Sequence, residues 1–245
     1  MKEEQPKVLI SCPTYEGHNN CIERFIKGLK NLSYKNFGVI FASDSTSENF
    51  LNKIIDAGYE ILKSPVCKKE WNMSSIVQNR NRIIQYALEK EYDYLLFVDT
   101  DVLLPEQAVE KLLSVNQPIV SGIYLGAVPM HGTVKIAPII YDFGDKEDYI
   151  KAVPLNHVLK DWVFEIAACG FGCCLIKREV LEKVKLRYNE KTQAGEDMLF
   201  CFDARKKHNY HIFANTSVRC VHMVKGGDLD FPAGVAAFSF EQEVY

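Results

Sequence analysis

The apolar run from Leu95 to Val98 constrains the fold more than any other stretch, because it leads directly into two carboxylates, Asp99 and Asp101. A strand without polar positions is buried on both faces, as in a parallel sheet that is covered by helices. Its acidic end then lies at the carboxyl edge of the sheet, where open α/β folds bind their ligands. Two close carboxylates repel each other and any phosphate, so the sequence predicts a divalent metal at this edge.

The first half of the chain alternates strand patterns with amphipathic helix patterns. Strands are predicted at Val8–Ser11, Phe37–Ala42, Glu60–Lys63 and Tyr94–Val98, and helices at Asn20–Leu32, Ser47–Ala57, Ser74–Lys90 and from Pro105 onward. Beyond Gln117 the strands are less regular, at Ile119–Ile123, Ala137–Tyr141, Phe164–Ala168, Ile212–Ala214 and Ser217–His222, with a helix at Gly195–Lys207. This predicts an α/β fold with a Rossmann-like, mostly parallel central sheet, helices on both faces and a smaller mixed sheet.

Composition excludes several classes of protein. The net charge of −3 is mixed along the chain, so no basic block indicates a nucleic-acid partner. No apolar stretch approaches the ~20 residues of a transmembrane helix, and the N-terminus lacks the apolar core of a signal peptide. We therefore expect a soluble, cytoplasmic protein. The eight cysteines lack the spacing of a zinc site and are interpreted as reduced thiols, although disulfides stay open.

Several segments together resemble the GT-A glycosyltransferases, in particular those similar to family 2. Asp99-Thr100-Asp101 resembles the DxD motif, Ile10 to Glu16 resembles the opening strand and loop, Phe41 to Asp44 resembles the next strand, and Arg80-Asn81 resembles a helix segment that faces the nucleotide. The resemblance covers Val8 to His222. It implies nucleotide contacts from Pro13, Thr14, Tyr15, Glu16, Asp44, Arg80, Asp99 and Thr100.

The resemblance also implies catalytic and metal-binding residues. Gly195-Glu196-Asp197 resembles the acidic segment at the acceptor site, so Asp197 is the expected general base and Glu196 orients or binds the acceptor. The alternative is a pair of acids at a helix start. Asp101 and His222 are expected to hold Mn²⁺ or Mg²⁺, with Asp99 on the ribose or on the metal through water. A lone histidine in a strand is also common in a core, and His18 is expected in a loop or at the surface.

The 245 residues are expected to form one domain, with a nucleotide-binding half at 1–115, an acceptor half at 116–225 and a tail or flap at 226–245. The implied reaction moves a sugar from a nucleoside diphosphate sugar to an acceptor hydroxyl with inversion, with UDP as the first expectation and GDP as the second. The acceptor, the sugar and the stereochemistry stay open. A sugar-phosphate nucleotidyltransferase is disfavoured, because Pro13 to Gly17 contains no basic residue for a phosphate loop. An inactive nucleotide-sugar-binding module is the remaining alternative.

Overall fold

The computed structural model describes residues 5–64, 73–130, 133–146, 149–189, 195–231 and 241–242. Eight strands form its central sheet. In spatial order they are β11 (Val163–Ile166), β14 (Ile212–Arg219), β6 (Ile119–Ile123), β13 (Cys173–Lys177), β4 (Tyr94–Val98), β1 (Val8–Thr14), β2 (Phe37–Ser43) and β3 (Glu60–Lys63). The four strands from β4 to β3 run parallel, as do β6 and β14, whereas β13 and β11 are antiparallel to their neighbours. The predicted mostly parallel sheet is confirmed.

Within the described residues, six α-helices cover both faces of this sheet. They are α1 (Ile22–Lys30), α2 (Glu48–Asp56), α3 (Met73–Glu89), α4 (Ala108–Leu113), α5 (Arg178–Leu181) and α6 (Glu196–His208). Helices α1, α2 and α4 pack on one face, and α3, α5 and α6 pack on the other. Along α1 the buried residues recur every three or four positions, at Ile22, Phe25, Ile26 and Leu29, which is the spacing of one helix face.

The central position of strand β4 explains why the run from Leu95 to Val98 contains no polar residue. It lies between β1 and β13, and the side chains from Leu95 to Val98 are fully buried. Leu95 and Phe97 join the core beneath α3, α5 and α6, whereas Leu96 and Val98 join the core beneath α1, α2 and α4. Both faces of the strand are therefore apolar, as predicted for a central parallel strand.

Three small antiparallel sheets flank the central sheet. Their strands, in spatial order, are β10 (Ile150–Ala152), β9 (Ile140–Phe143) and β12 (Ala168–Cys169); β16 (Gly227–Leu229), β15 (Val221–Val224) and β5 (Val102–Leu103); and β17 (Glu241–Gln242), β8 (Thr133–Pro138) and β7 (Leu125–Met130). The single strand predicted at Ala137–Tyr141 is thus two strands in different sheets, separated at Ile139. Likewise, the helix predicted from Pro105 begins only at Ala108.

The beginning of the predicted tail forms a hairpin. Gly226 and Gly227 lie at the turn between β15 and β16 with φ of 103° and 146°, a region that side chains rarely adopt. Asp228, on the second strand of this hairpin, forms a salt bridge of 2.6 Å with Arg24 of α1. Residues 232–240 and 243–245, which carry most of the predicted flap, lie outside the described residues.

Seven of the eight cysteines lie in the described part of the chain. The seven described cysteines are free thiols and are buried, and Cys67 lies outside the described residues. Their apolar surroundings are the usual environment of an unreactive cysteine. Among the described residues, no helix has the length and apolar character needed to cross a membrane.

Candidate active site

The ends of three parallel strands bring the predicted nucleotide and metal residues to one edge of the sheet. Strand β1 ends at Thr14, β2 ends just before Asp44, and β4 ends just before Asp99. Thr14 and Thr100 contact each other through their hydroxyl groups, whose oxygens are 3.1 Å apart. The loops that follow β1 and β4 therefore lie side by side at the ligand-binding edge of the fold.

Asp101 and His222 meet because β15 pairs with β5. His222 lies opposite Val102, and the Met223 amide donates a hydrogen bond of 2.7 Å to the Asp101 carbonyl. This register places His222 Nε2 3.3 Å from Asp101 Oδ2, while His222 Nδ1 donates a 2.7 Å hydrogen bond to the Leu125 carbonyl. With its Nδ1 proton held by a carbonyl, a neutral imidazole presents the Nε2 lone pair to the carboxylate side, as metal-binding histidines do.

The electrostatics of this pair are mutual. Burial raises the pKa of Asp101, but the hydrogen bond and charge of His222, with a smaller contribution from His18, outweigh burial and lower it. Burial lowers the pKa of His222, and the Asp101 carboxylate reverses this and raises it. In the described part of the chain, no three His, Cys, Asp or Glu side chains are already grouped as a metal centre. The chemistry of the Asp101 and His222 pair nevertheless suits a divalent ion that accepts oxygen and nitrogen ligands.

His18 lies in the loop between β1 and α1, as predicted, but it also lies beside Asp101, which the sequence did not indicate. It lies in a short 3-10 helix at Glu16–His18 and contacts Thr100 and Thr14 through Nδ1. Its Nε2 lies 3.9 Å from Asp101 Oδ2, and its side chain is only 19% exposed. No spacing in the sequence indicated this contact, since it depends on how the loops after β1 and β4 pack.

The other predicted nucleotide residues lie at the same edge, either at the ends of β1, β2 and β4 or in the loops that follow these strands. Tyr15 is 43% exposed and packs edge-to-face on the His18 ring, with centroids 4.6 Å apart. Glu16 accepts a hydrogen bond from Ser45, which lowers the pKa of its carboxyl. Asp44 accepts a 2.6 Å hydrogen bond from Ser75, at the start of α3. Pro13 is half-buried, whereas Thr100 is fully buried. Their roles toward a nucleotide stay predictions.

Arg80 links two of the predicted carboxylates. Its Nη2 donates to Asp99 Oδ1 at 2.8 Å, and its Nη1 donates to Glu196 Oε1 at 2.7 Å. Although burial lowers the pKa of Arg80, the charges of Asp99, Glu196 and Asp197 outweigh burial and raise it. Burial raises the pKa of Asp99, and Arg80 offsets only part of this effect. Glu196 is thus an ion-pair partner of Arg80 as well as an acid in the first turn of α6.

Asp197 stands beside this network, one residue after Glu196 in the first turn of α6. Its Oδ1 accepts a 2.7 Å hydrogen bond from the Met198 amide in the first turn of α6. Burial, followed by the neighbouring Glu196 carboxylate, raises the pKa of Asp197 to about 7, although Arg80 and the Met198 amide act in the opposite direction. A carboxylate with this pKa accepts a proton near neutral pH, which is the property of a general base.

Tyr124 is a further residue at this site that the sequence did not reveal. Its ring packs edge-to-face on His222 at 5.7 Å, and its hydroxyl accepts a 3.3 Å hydrogen bond from the Gly172 amide. A Cβ atom on Gly170 would lie 2.2 Å from the Tyr124 hydroxyl oxygen, and one on Gly172 would lie 2.6 Å from its ring. The glycines flanking Phe171 therefore make room for this tyrosine.

Comparisons with known proteins bear on the family and the fold of the chain. A family model described as glycosyl transferase family 2 matches residues 10–185. No curated protein is significantly similar to the chain. Among solved structures, GalNAc-T7 with UDP, GalNAc and Mn²⁺ is similar with a TM-score of 0.64 and 12% identity, over 91% of this chain and 45% of that one.

A second solved structure gives the same fold. TarS 1–349 from S. aureus in complex with UDP is similar with a TM-score of 0.53 and 16% identity, over 86% of this chain and 58% of that one. The chain therefore spans less than two thirds of either protein. At these identities the likeness establishes the shared GT-A fold.

Proposed function

The chain belongs to glycosyl transferase family 2, and from this premise we propose that it transfers a sugar from a nucleoside diphosphate sugar to an acceptor hydroxyl with the aid of a divalent metal. One observation carries the proposal: the ends of β1, β2 and β4 bring Asp44, Asp99 and Asp101 to one edge, where β15 adds His222. Such an edge offers ligands for a metal and for a nucleotide at the same place.

Asp101 and His222 are the residues proposed to hold the metal. Their ligand atoms already face each other, and the Leu125 carbonyl fixes the orientation of the imidazole. Asp99 is proposed to support the metal through water or to bind the ribose, since Arg80 occupies its Oδ1. When bound, Mn²⁺ or Mg²⁺ offsets the charge of the departing diphosphate. The nitrogen ligand favours Mn²⁺ over Mg²⁺.

The donor nucleotide is proposed to lie along the loops after β1 and β2. Tyr15 presents an exposed aromatic ring and Glu16 an exposed carboxylate, and Asp44 follows β2. UDP is the first expectation and GDP the second. The two similar structures were both solved with UDP, which supports uridine.

Asp197 is proposed to remove the proton from the attacking acceptor hydroxyl. With that proton on Asp197, the acceptor oxygen attacks the anomeric carbon as the bond to the diphosphate breaks, and a single displacement inverts the configuration. Glu196 is paired with Arg80 and buried, so Asp197 is the better base of the two.

The metal requirement is directly testable by calorimetry. UDP is expected to bind in the presence of Mn²⁺ and to lose most of its affinity in EDTA, because Asp99 and Asp101 otherwise present negative charge to the phosphates. GDP titrated under the same conditions tests the choice of nucleoside. Equal UDP affinity in buffer with Mn²⁺ and in buffer with EDTA would remove the metal from the mechanism.

The rate of transfer is expected to rise with pH and to level off above about pH 7. Asp197 has a pKa of about 7 and accepts a proton only when ionised, so the active form accumulates as the pH increases through that value. The measurement is kcat/KM against pH at saturating Mn²⁺. UDP affinity is measured at each pH as a control, because Asp101 and His222 also titrate. A flat profile through pH 7 would contradict the assignment.

A further inference from the structure

Arg80 is enclosed in a way that is unusual for a residue expected to contact a ligand directly. Only 5% of its surface is exposed. Its guanidinium lies over the rings of Phe97 and Phe171, at 5.5 Å and 5.2 Å from their centroids. Because an unpaired buried charge is strongly unfavourable, a guanidinium stays in such surroundings only with carboxylate partners.

Its two carboxylate partners belong to different halves of the site. Asp99 follows β4 on the proposed donor side and its side chain is 33% exposed, whereas Glu196 begins α6 on the proposed acceptor side and its side chain is 7% exposed. Both contacts are short, at 2.8 Å and 2.7 Å, and they use the two terminal nitrogens of one planar group. A guanidinium fork has fixed internal geometry, so it holds both carboxylates at a set separation.

We propose that Arg80 is a positioning residue that couples the donor side of the site to the acceptor side. This inference rests on the proposed function. Arg80 holds Asp99 next to the metal-binding residue Asp101 and, with its other nitrogen, fixes Glu196 at the start of α6. Asp197 is the next residue in that turn, so the same contact sets where the base stands. A displacement of Asp99 when the donor binds is transmitted to Glu196 through one rigid group.

The direct test is whether a change at Glu196 alters nucleotide binding through Arg80. Glu196→Asp keeps the negative charge but shortens the side chain. The net charge of the site therefore stays the same, while the contact with Arg80 is stretched. The affinity for UDP with Mn²⁺ is expected to fall about threefold or more, within the usual range for coupled neighbours. In an Arg80→Lys background the same change is expected to have no effect, because one ammonium cannot bridge both carboxylates.

Arg82 provides the matched control. It lies two residues further along α3, is exposed, and contacts Ser64 Oγ at 3.4 Å. Arg82→Lys is expected to leave UDP affinity unchanged. If UDP with Mn²⁺ binds normally and Glu196→Asp changes nothing, the coupling proposal is overturned while the proposed function stands. If neither UDP nor GDP binds, the proposed function itself fails.

Arg80→Lys could also perturb folding, so a second measurement avoids that variant. With Arg80 present, Asp99→Asn and Glu196→Asp are compared singly and together for their effects on UDP affinity. Coupling through Arg80 predicts that the double variant differs from the product of the single effects by about threefold or more. Effects that simply multiply would overturn the proposal. Thermal unfolding of each variant confirms that it is folded.

Discussion

Replacing Asp197 with asparagine is expected to lower sugar transfer by about 100-fold or more, the usual scale for the loss of a general base. Asparagine keeps the shape of the side chain and can still accept the hydrogen bond from the Met198 amide, but it cannot take a proton. Binding of UDP with Mn²⁺ should stay near the value for the native chain, since Asp197 is not among the proposed metal ligands. Steady-state transfer and calorimetry on the same preparation measure the two effects.

Glu196→Gln separates the roles of the two neighbouring acids. If transfer survives in Asp197→Asn but is lost in Glu196→Gln, the base is Glu196 and the assignment is wrong. If both variants remain active, the acidic pair serves only the helix start and the ion pair with Arg80. Neither result would affect the nucleotide and metal assignment.

Gly195→Ala tests the position of the base without removing it. A Cβ atom on Gly195 would lie 2.5 Å from Asp197 Oδ1, so the carboxylate has to move. The close atom is the end of a side chain, so the backbone can stay in place. Reduced transfer with unchanged thermal stability and unchanged UDP affinity is the expected result. Normal transfer would show that the precise position of Asp197 does not matter.

The parts of the fold that follow from local sequence were predicted well. Strands Glu60–Lys63, Tyr94–Val98 and Ile119–Ile123 have the predicted bounds, and α3 differs from its prediction by one residue at each end. Tyr94–Val98 and Ile119–Ile123 are mostly apolar runs, and their burial in the central sheet agrees with that pattern. Glu60–Lys63 is an edge strand and contains no buried residue. The edge at which the strands end follows from their parallel direction, which made the location of Asp44 and Asp99 at one edge of the sheet predictable.

Features that depend on long-range packing were not predictable from one sequence. Nothing near Pro138 shows that the chain leaves one small sheet there and enters another. The ion pairs of Arg80 join residues from α3, β4 and α6, and the contact of His18 with Asp101 depends on how two loops pack. Tyr124 carries no motif at all. In each case the partner lies far away along the chain, so its identity is set by the fold.

Asp101→Asn is expected to have the opposite profile to Asp197→Asn, with the main loss in nucleotide binding. Asparagine removes the negative charge that a divalent ion requires. Of the two proposed ligands, only His222 then remains unchanged. Even the outer-shell partners of metal ligands change affinity by about 10- to 100-fold, so a ligand should cost at least as much. Calorimetry of UDP with Mn²⁺ measures this loss, and Asp56→Asn, an exposed aspartate at the end of α2, is the matched control.

The outcome of His222→Ala decides whether Asp101 acts through a metal or simply through its charge. If both residues hold the ion, each variant should weaken the binding of UDP with Mn²⁺, and His222→Ala should leave the residual binding in EDTA unchanged. Loss of His222 should also reduce the preference for Mn²⁺ over Mg²⁺, because the imidazole is the softer of the two ligands. If Asp101→Asn strengthens UDP binding in EDTA and His222→Ala has no effect with Mn²⁺, then Asp101 only repels the phosphates, and the metal has to be held by other residues.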